Sequence, residues 1–140
     1  MPQSIAEIMT RAPSTVDLSD SATQTARVMR DDDIGDVLVV RPGGTVFGIV
    51  TDRDLALRVV AEGLDPSTVQ VEDICSRQVI GVSSRDSIDQ AAEKMREHAV
   101  RRLPVIDDDQ LVGVVSLGDL AIERNPESAL ADISEAPPNN

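Results

Sequence analysis

The sequence predicts an α/β protein built from two copies of one strand–helix–hairpin–helix unit, and three observations carry that prediction. Residues 5–40 align on residues 71–106 without a gap. In each copy, small and apolar residues recur at three-and-four spacing and are followed by two short β-branched runs around a turn. Each copy then closes on one signature, "GIVTDRDLA" at 48–56 and "GVVSLGDLA" at 113–121. Repeats of roughly 50 residues are too small to bury both faces of a sheet alone, so the two are expected to pack together and close one core.

Taken in order, each copy opens with a short strand around Val16 or Val82. A helix follows, its apolar face written by Ala22, Thr25, Ala26 and Met29 and again by Ile88, Ala91, Ala92 and Met95. Asp20 and Asp86 stand where an N-cap would start it. Next, "VLVV" and "VFGIV" flank "RPGGT", while "LPVI" and "LVGVV" flank "DDDQ"; such runs read as hairpins buried on both faces. A second helix starts at Thr51 or Ser116. In "AEGLDPST", Gly63 ends the first copy's last helix and Asp65-Pro66 turns the chain. The boundaries are thus 5–63 for the first repeat, 64–70 for a linker and 71–125 for the second repeat. Residues 126–140, with a changed composition, form a tail expected to be disordered beyond a helical turn.

Composition removes several classes of function. A formal net charge of -12 repels nucleic acid phosphates, and one Phe with no Trp or Tyr leaves no stacking platforms for bases. No apolar run approaches the roughly 20 residues that span a bilayer, and "MPQSIAEIMTRAP" lacks the basic start and apolar stretch of a secretory signal, so a cytoplasmic location is expected. Cys75 is alone, which permits neither an internal disulfide nor a cysteine-pair zinc site. His98, the single histidine, has no second His or Cys nearby and is not expected to hold a metal. Cys75 aligns with Met9, as a small buried apolar side chain would. Asp31–Asp33 and Asp107–Asp109 lack the alternating oxygen ligands of a calcium loop and read as solvated turn residues. No nucleophile with its base, glycine-rich phosphate loop or acid–base pair appears, so no enzyme is expected.

Thr51-x-x-Asp54 and Ser116-x-x-Asp119 admit two readings. A hydroxyl followed three residues later by an acid is a capping box, which satisfies orphan N–H groups at a helix start. The same helix start attracts phosphate; a hydroxyl can donate to it, and an aspartate can accept from both hydroxyls of a ribose. One hydroxyl can do both, and spacing does not separate the two.

A tandem of this architecture, with each hairpin closing in Gly, two apolar residues, Ser or Thr, two variable residues and Asp, resembles a pair of CBS domains, named after cystathionine beta-synthase and called a Bateman module. The likeness spans roughly residues 5–122 and includes "IMT", "ARVM", "AEKM" and "VRRLPVID". It implies two repeats packed around a pseudo-twofold axis, with two clefts that take adenosine-containing ligands: AMP, ADP or ATP foremost, S-adenosylmethionine or NAD besides. By that resemblance Asp54 and Asp119 would hold ribose hydroxyls, Thr51 and Ser116 would face phosphate, and backbone around Val16 and Val82 would border the adenine. Arg101 and Arg102, and also Arg53, would neutralise phosphate charge; the alternative for each is a solvated or carboxylate-paired side chain. The copies differ: Arg102 and Pro104 replace Asp36 and Leu38, and Leu117-Gly118 replaces Asp52-Arg53, so unequal occupancy is expected.

With no catalytic domain beside the repeats, the chain resembles stand-alone bacterial CBS proteins, including the hypoxic-response type, which are regulators without a resident cofactor. The resemblance further implies a homodimer through the helices, with Leu55, Leu57, Leu120 and Ile122 as candidate contacts unless they are buried within the monomer, and an unidentified target protein. The alternative function is a ligand-independent interaction or scaffold module in which the hydroxyl–aspartate pairs are caps alone.

Overall fold

The computed structural model describes residues 4–11 and 13–124, with side chains as far as Ala121. The expected tail at 126–140 lies outside the described residues, as does the side chain of Ile122. Among the described residues five strands and four α-helices follow the repeat: β1 (Thr15–Asp17), α1 (Ala22–Asp32), β2 (Asp36–Val40), β3 (Val46–Thr51), α2 (Asp52–Leu55), α3 (Ile88–His98), β4 (Arg102–Asp107), β5 (Gln110–Ser116) and α4 (Leu117–Arg124). Short 3-10 turns at Ile5–Glu7 and Val71–Asp73 open the two repeats. A π-helical stretch, Ala56–Val60, extends α2.

The sheets explain the alternation in the sequence. β1 runs parallel to β2, which pairs antiparallel with β3; β4 and β5 form the second hairpin. The centres of β2 (Val37, Leu38, Val39) and β4 (Leu103, Pro104, Val105) are buried on both faces, as apolar runs require. β3 and β5 instead alternate, burying Gly48 and Val50, and Gly113 and Val115. The second hairpin turns on Asp108 and Asp109, both at positive φ, the conformation a tight two-residue connection imposes. The strand expected at Val82 is reduced to a single parallel bridge with Val105.

Helix α1 buries Ala22, Thr25 and Met29, and α3 buries Ile88, Ala91 and Met95. Ala26 is exposed, so the apolar face of α1 is narrower than the spacing implied. The caps sit one residue later than expected. Ser21 and Ser87 are the N-caps, each accepting from the N–H of the glutamine three residues on, with that glutamine returning the bond. Asp20 and Asp86 accept from the N–H groups of Asp17 and Ser83 at 2.9 Å, closing the turn before the helix. Both helices end on a left-handed residue that is not glycine, Asp33 and Ala99.

The described residues divide into two compact units, and they do not follow the repeats: Ser14–Val79 form one, and the described residues up to Pro13 together with those from Ile80 to Arg124 form the other. Each repeat's opening segment is exchanged. Ser76 bridges Ile49, and Gln70 bridges Ser21; Thr10 bridges Val114, and Ser4 bridges Ser87. In place of the single core expected from repeat length, each unit therefore has its own. Val71, Ile74 and Cys75 join Val16, Met29, Val37, Val39, Val50 and Val59 in the first. Ile5 joins Val82, Ala91, Met95, Leu103, Val105, Val115 and Leu120 in the second. Each fully buried aliphatic side chain contributes about 1.5–3 kcal/mol, so a hairpin without its visiting segment would lose several kcal/mol.

Candidate functional site

In the first unit the motif begins where β3 becomes α2. Thr51 is extended and caps the helix: its hydroxyl accepts from the Asp54 N–H at 3.1 Å, and Asp54 Oδ2 accepts from the Thr51 N–H at 2.9 Å. The capping reading is realised in full. It uses one lone pair of the hydroxyl and one carboxylate oxygen, leaving the O–H and Oδ1. That second oxygen faces Arg58 Nε at 3.8 Å, and Arg58 also donates to the Ile74 carbonyl at 3.0 Å. The Arg53 N–H is taken by the Asp52 carboxylate at 2.8 Å. The Arg53 side chain is exposed. Across the hairpin, the residue in register with Thr51 is Asp36.

The second unit repeats the cap and changes its surroundings. Asp119 Oδ2 accepts from the Ser116 N–H at 2.9 Å, and the Ser116 hydroxyl accepts from the Asp119 N–H at 3.1 Å. Among the described residues neither Asp119 Oδ1 nor the Gly118 N–H has a partner. The residue in register with Ser116 is Arg102. Directly opposite residues of an antiparallel pair share a face, with Cβ atoms about 5 Å apart. Arg102 is thus the residue opposite the motif hydroxyl in this unit, where the first unit has Asp36. Arg101 is exposed; its carbonyl accepts from the Leu117 N–H at 2.8 Å.

The remaining candidates divide. Val16 and Val82 are buried in their cores. The Val82 backbone donates to Pro104 and accepts from Ile106, while Gly81 offers its carbonyl to Lys94 Nζ at 2.6 Å. The sequence reading missed Lys94, which aligns with Val28; it also missed Arg58, four residues after Asp54, where i,i+4 spacing was the available signal. Cys75 is buried, and burial pushes its thiol pKa up. His98 ends α3, exposed. Among the described residues no group of three or more His, Cys, Asp or Glu is placed to hold a metal ion. No helix of the described residues is long and apolar enough to cross a membrane. Asp107 is held below the usual carboxylate range by the Ser84 hydroxyl and N–H, with Ser83 adding a third donor. Of the expected dimer contacts, Leu120 is buried in its own unit and so is not available, whereas Leu57 is 47% exposed and is continued by Val60 and Leu64.

The CBS domain family model matches residues 5–61 and 71–124. Among curated relatives, the CBS domain-containing protein YhcV of Bacillus subtilis is 36% identical over 135 residues, which cover 94% of this chain and 95% of the relative. The crystal structure of Hypoxic Response Protein I with two coordinated zinc ions superposes with a TM-score of 0.77 at 32% identity, covering 86% of this chain and 98% of the other. A hexameric CBS-CP12 protein from bloom-forming cyanobacteria matches with a TM-score of 0.68 at 25% identity, covering 92% and 78%.

Proposed function

Because the chain belongs to the CBS domain family, as a tandem pair spanning nearly its whole length, we propose that it is a sensor of adenine nucleotides, AMP, ADP or ATP, and that it signals by a change of shape or association. CBS pairs are generally regulatory and non-catalytic. The observation that supports a ligand is the half-used cap. Each hydroxyl–aspartate pair spends one oxygen of each partner on the helix start and keeps an O–H; the second carboxylate oxygen faces Arg58 in the first unit and is left over by the cap in the second, so that donor and acceptor suit a phosphate and a ribose there. A ligand shifts an equilibrium only by its different affinity for two states, so sensing needs a second state. Self-association offers one, and Leu57, Val60 and Leu64 offer an apolar row for it.

The test is calorimetric unfolding with AMP, ADP, ATP, NAD and S-adenosylmethionine, each separately at millimolar concentration. A ligand at about 100 times its Kd adds about 2.7 kcal/mol and raises the midpoint by several degrees. Asp119→Ala is expected to abolish the rise while costing about 1 kcal/mol, the scale of a lost cap. The completed capping boxes favour one rival, a ligand-independent interaction module; it gains if no compound shifts the midpoint.

A further inference from the structure

Phe47, the only Phe, Trp or Tyr of the chain, carries two guanidiniums. Arg77 Cζ lies 3.8 Å from the ring centroid and Arg41 Cζ 4.9 Å, both within reach of a cation–π contact. The three residues meet because the hairpin is irregular. Val39 is in register with Gly48 and Val40 with Val46, so Phe47 is the extra residue of a β-bulge, which takes it out of the ladder and re-aims its side chain. Arg77 Nε donates to the Phe47 carbonyl at 2.7 Å, and the preceding residue is tied to β3 by both Ser76–Ile49 bonds. The chain has 25 Asp and Glu against 13 Lys and Arg, and Arg30, Arg58 and Arg96 each pair with a carboxylate. Arg41 and Arg77 are exposed, and among the described residues neither has such a pair. The fold does not require this cluster. In the second unit the bulged residue is Val112, Asp107 takes the place of Arg41 and is bonded to Ser83 and Ser84, and Arg11, aligned with Arg77, is left without a ring at that position.

We propose that Arg41, Phe47 and Arg77 form a docking surface for an acidic segment of a partner protein, one that presents two neighbouring carboxylates. Two like charges on one ring repel each other, and an anion beside them offsets that repulsion. The Arg77 side chain is already held by the ring and the carbonyl, so little further freedom is lost on binding. Its Nη groups keep a pair of donors that suits a carboxylate, and the Arg41 guanidinium keeps its own. Both are exposed, where a chain segment can lie across them. The net charge of -12 repels an acidic partner at long range, so recognition is confined to a short segment seated on this patch. Phe47 precedes Thr51 by four residues, about 13 Å along a strand, so the surface is separate from the hydroxyl–aspartate motif and stands whether or not a nucleotide binds.

NMR titration of the full, nitrogen-labelled chain at about 0.15 M salt, which screens the long-range repulsion, tests it. The probes are a capped Gly-Glu-Gly-Glu-Gly peptide, the same peptide with Gln in place of Glu, and inorganic phosphate. The glutamate peptide is expected to shift the Nε–H signals of Arg41 and Arg77 and the Phe47 amide, and the glutamine peptide to leave them in place. Arg77→Gln and Phe47→Leu are each expected to weaken the glutamate peptide about fivefold or more, and Arg11→Gln, in the other unit, less than about twofold. If neither of the first two folds, Arg41→Gln carries the test with the same expected loss, since the Arg41 side chain contacts the ring alone among the described residues. No shift with the glutamate peptide, equal shifts with the glutamine peptide, undiminished binding in a folded Arg41→Gln variant, or phosphate binding as tightly as the peptide would each overturn the proposal. So would shifts of the same signals with protein concentration and no probe, which assign the patch to a second copy of this chain.

Discussion

Gly48 and Gly113 head the two copies of the motif, and replacing either with alanine tests how the units are built. A Cβ on Gly48 would fall closer than 3 Å to the Ser76 carbonyl oxygen and 2.9 Å from Cys75 Sγ. Neither neighbour is a flexible side-chain end: Ser76 is held by two backbone bonds to Ile49, at 2.9 and 2.8 Å, and Cys75 is packed in the core. Restoring ordinary contact needs a retreat of roughly 1 Å, which takes both bonds out of range. Two backbone bonds at about 1 kcal/mol each, with about 1–3 kcal/mol of overpacking, are partly offset by about 1 kcal/mol from alanine's better strand behaviour. The net cost of Gly48→Ala is about 2–4 kcal/mol. Gly113→Ala should cost less, because its nearest neighbour at 2.7 Å is the Met9 thioether, which can swing, although the Thr10 carbonyl oxygen at 2.8 Å cannot. With no Trp or Tyr in the chain, urea unfolding is best followed by far-UV circular dichroism. At a slope of about 2 kcal/mol/M the midpoint of Gly48→Ala should fall by about 1–2 M. A midpoint within about 0.2 M of the unaltered protein, or a larger loss in Gly113→Ala, would refute the reasoning.

Four further outcomes are expected. Ala99 closes α3 in the left-handed region with φ 54, so Ala99→Gly should gain about 0.5–1 kcal/mol in the same urea assay. Ser87→Ala should lose about 1 kcal/mol as the true N-cap of α3 is removed. Because hydrogen bonds from Ser84 and Ser83 depress the Asp107 pKa, its stabilisation is complete above the ordinary aspartate value of about 3.9 and is lost as pH falls through the lower folded value. Asp107→Asn should therefore unfold at lower urea than the unaltered protein at pH 7, with the gap closing below pH ~4. Burial raises the Cys75 pKa, so its thiol should react slowly with a disulfide reagent at pH 8 in the native protein and promptly in urea.

The α/β repeat was legible because its information is local. A three-and-four spacing, a β-branched run and a turn each act within a few residues, and α1, α3 and both hairpins stand where those patterns put them. The caps were displaced from Asp20 and Asp86 to Ser21 and Ser87 because an acid one position early satisfies the preceding turn; the Ser-x-x-Gln boxes were the better signal. The exchange of opening segments was hidden, since a gapless alignment compares positions along the chain and is blind to which hairpin covers which core. At the site, the Asp36/Arg102 difference was visible as identity. Its meaning came from strand register, which brings residues separated by a whole hairpin onto one face.

The exchanged segments also set an order of events for a chain made from its N-terminus. The residues around Thr10 leave the ribosome well before their bridging partner, Val114, which follows on the order of 100 residues later. That unit can close only once β5 has been made, whereas the unit from Ser14 to Val79 has all its parts earlier. Ile5 and its neighbours must wait as exposed apolar residues, and a chaperone that recognises such stretches would find them on the nascent chain and lose them on release.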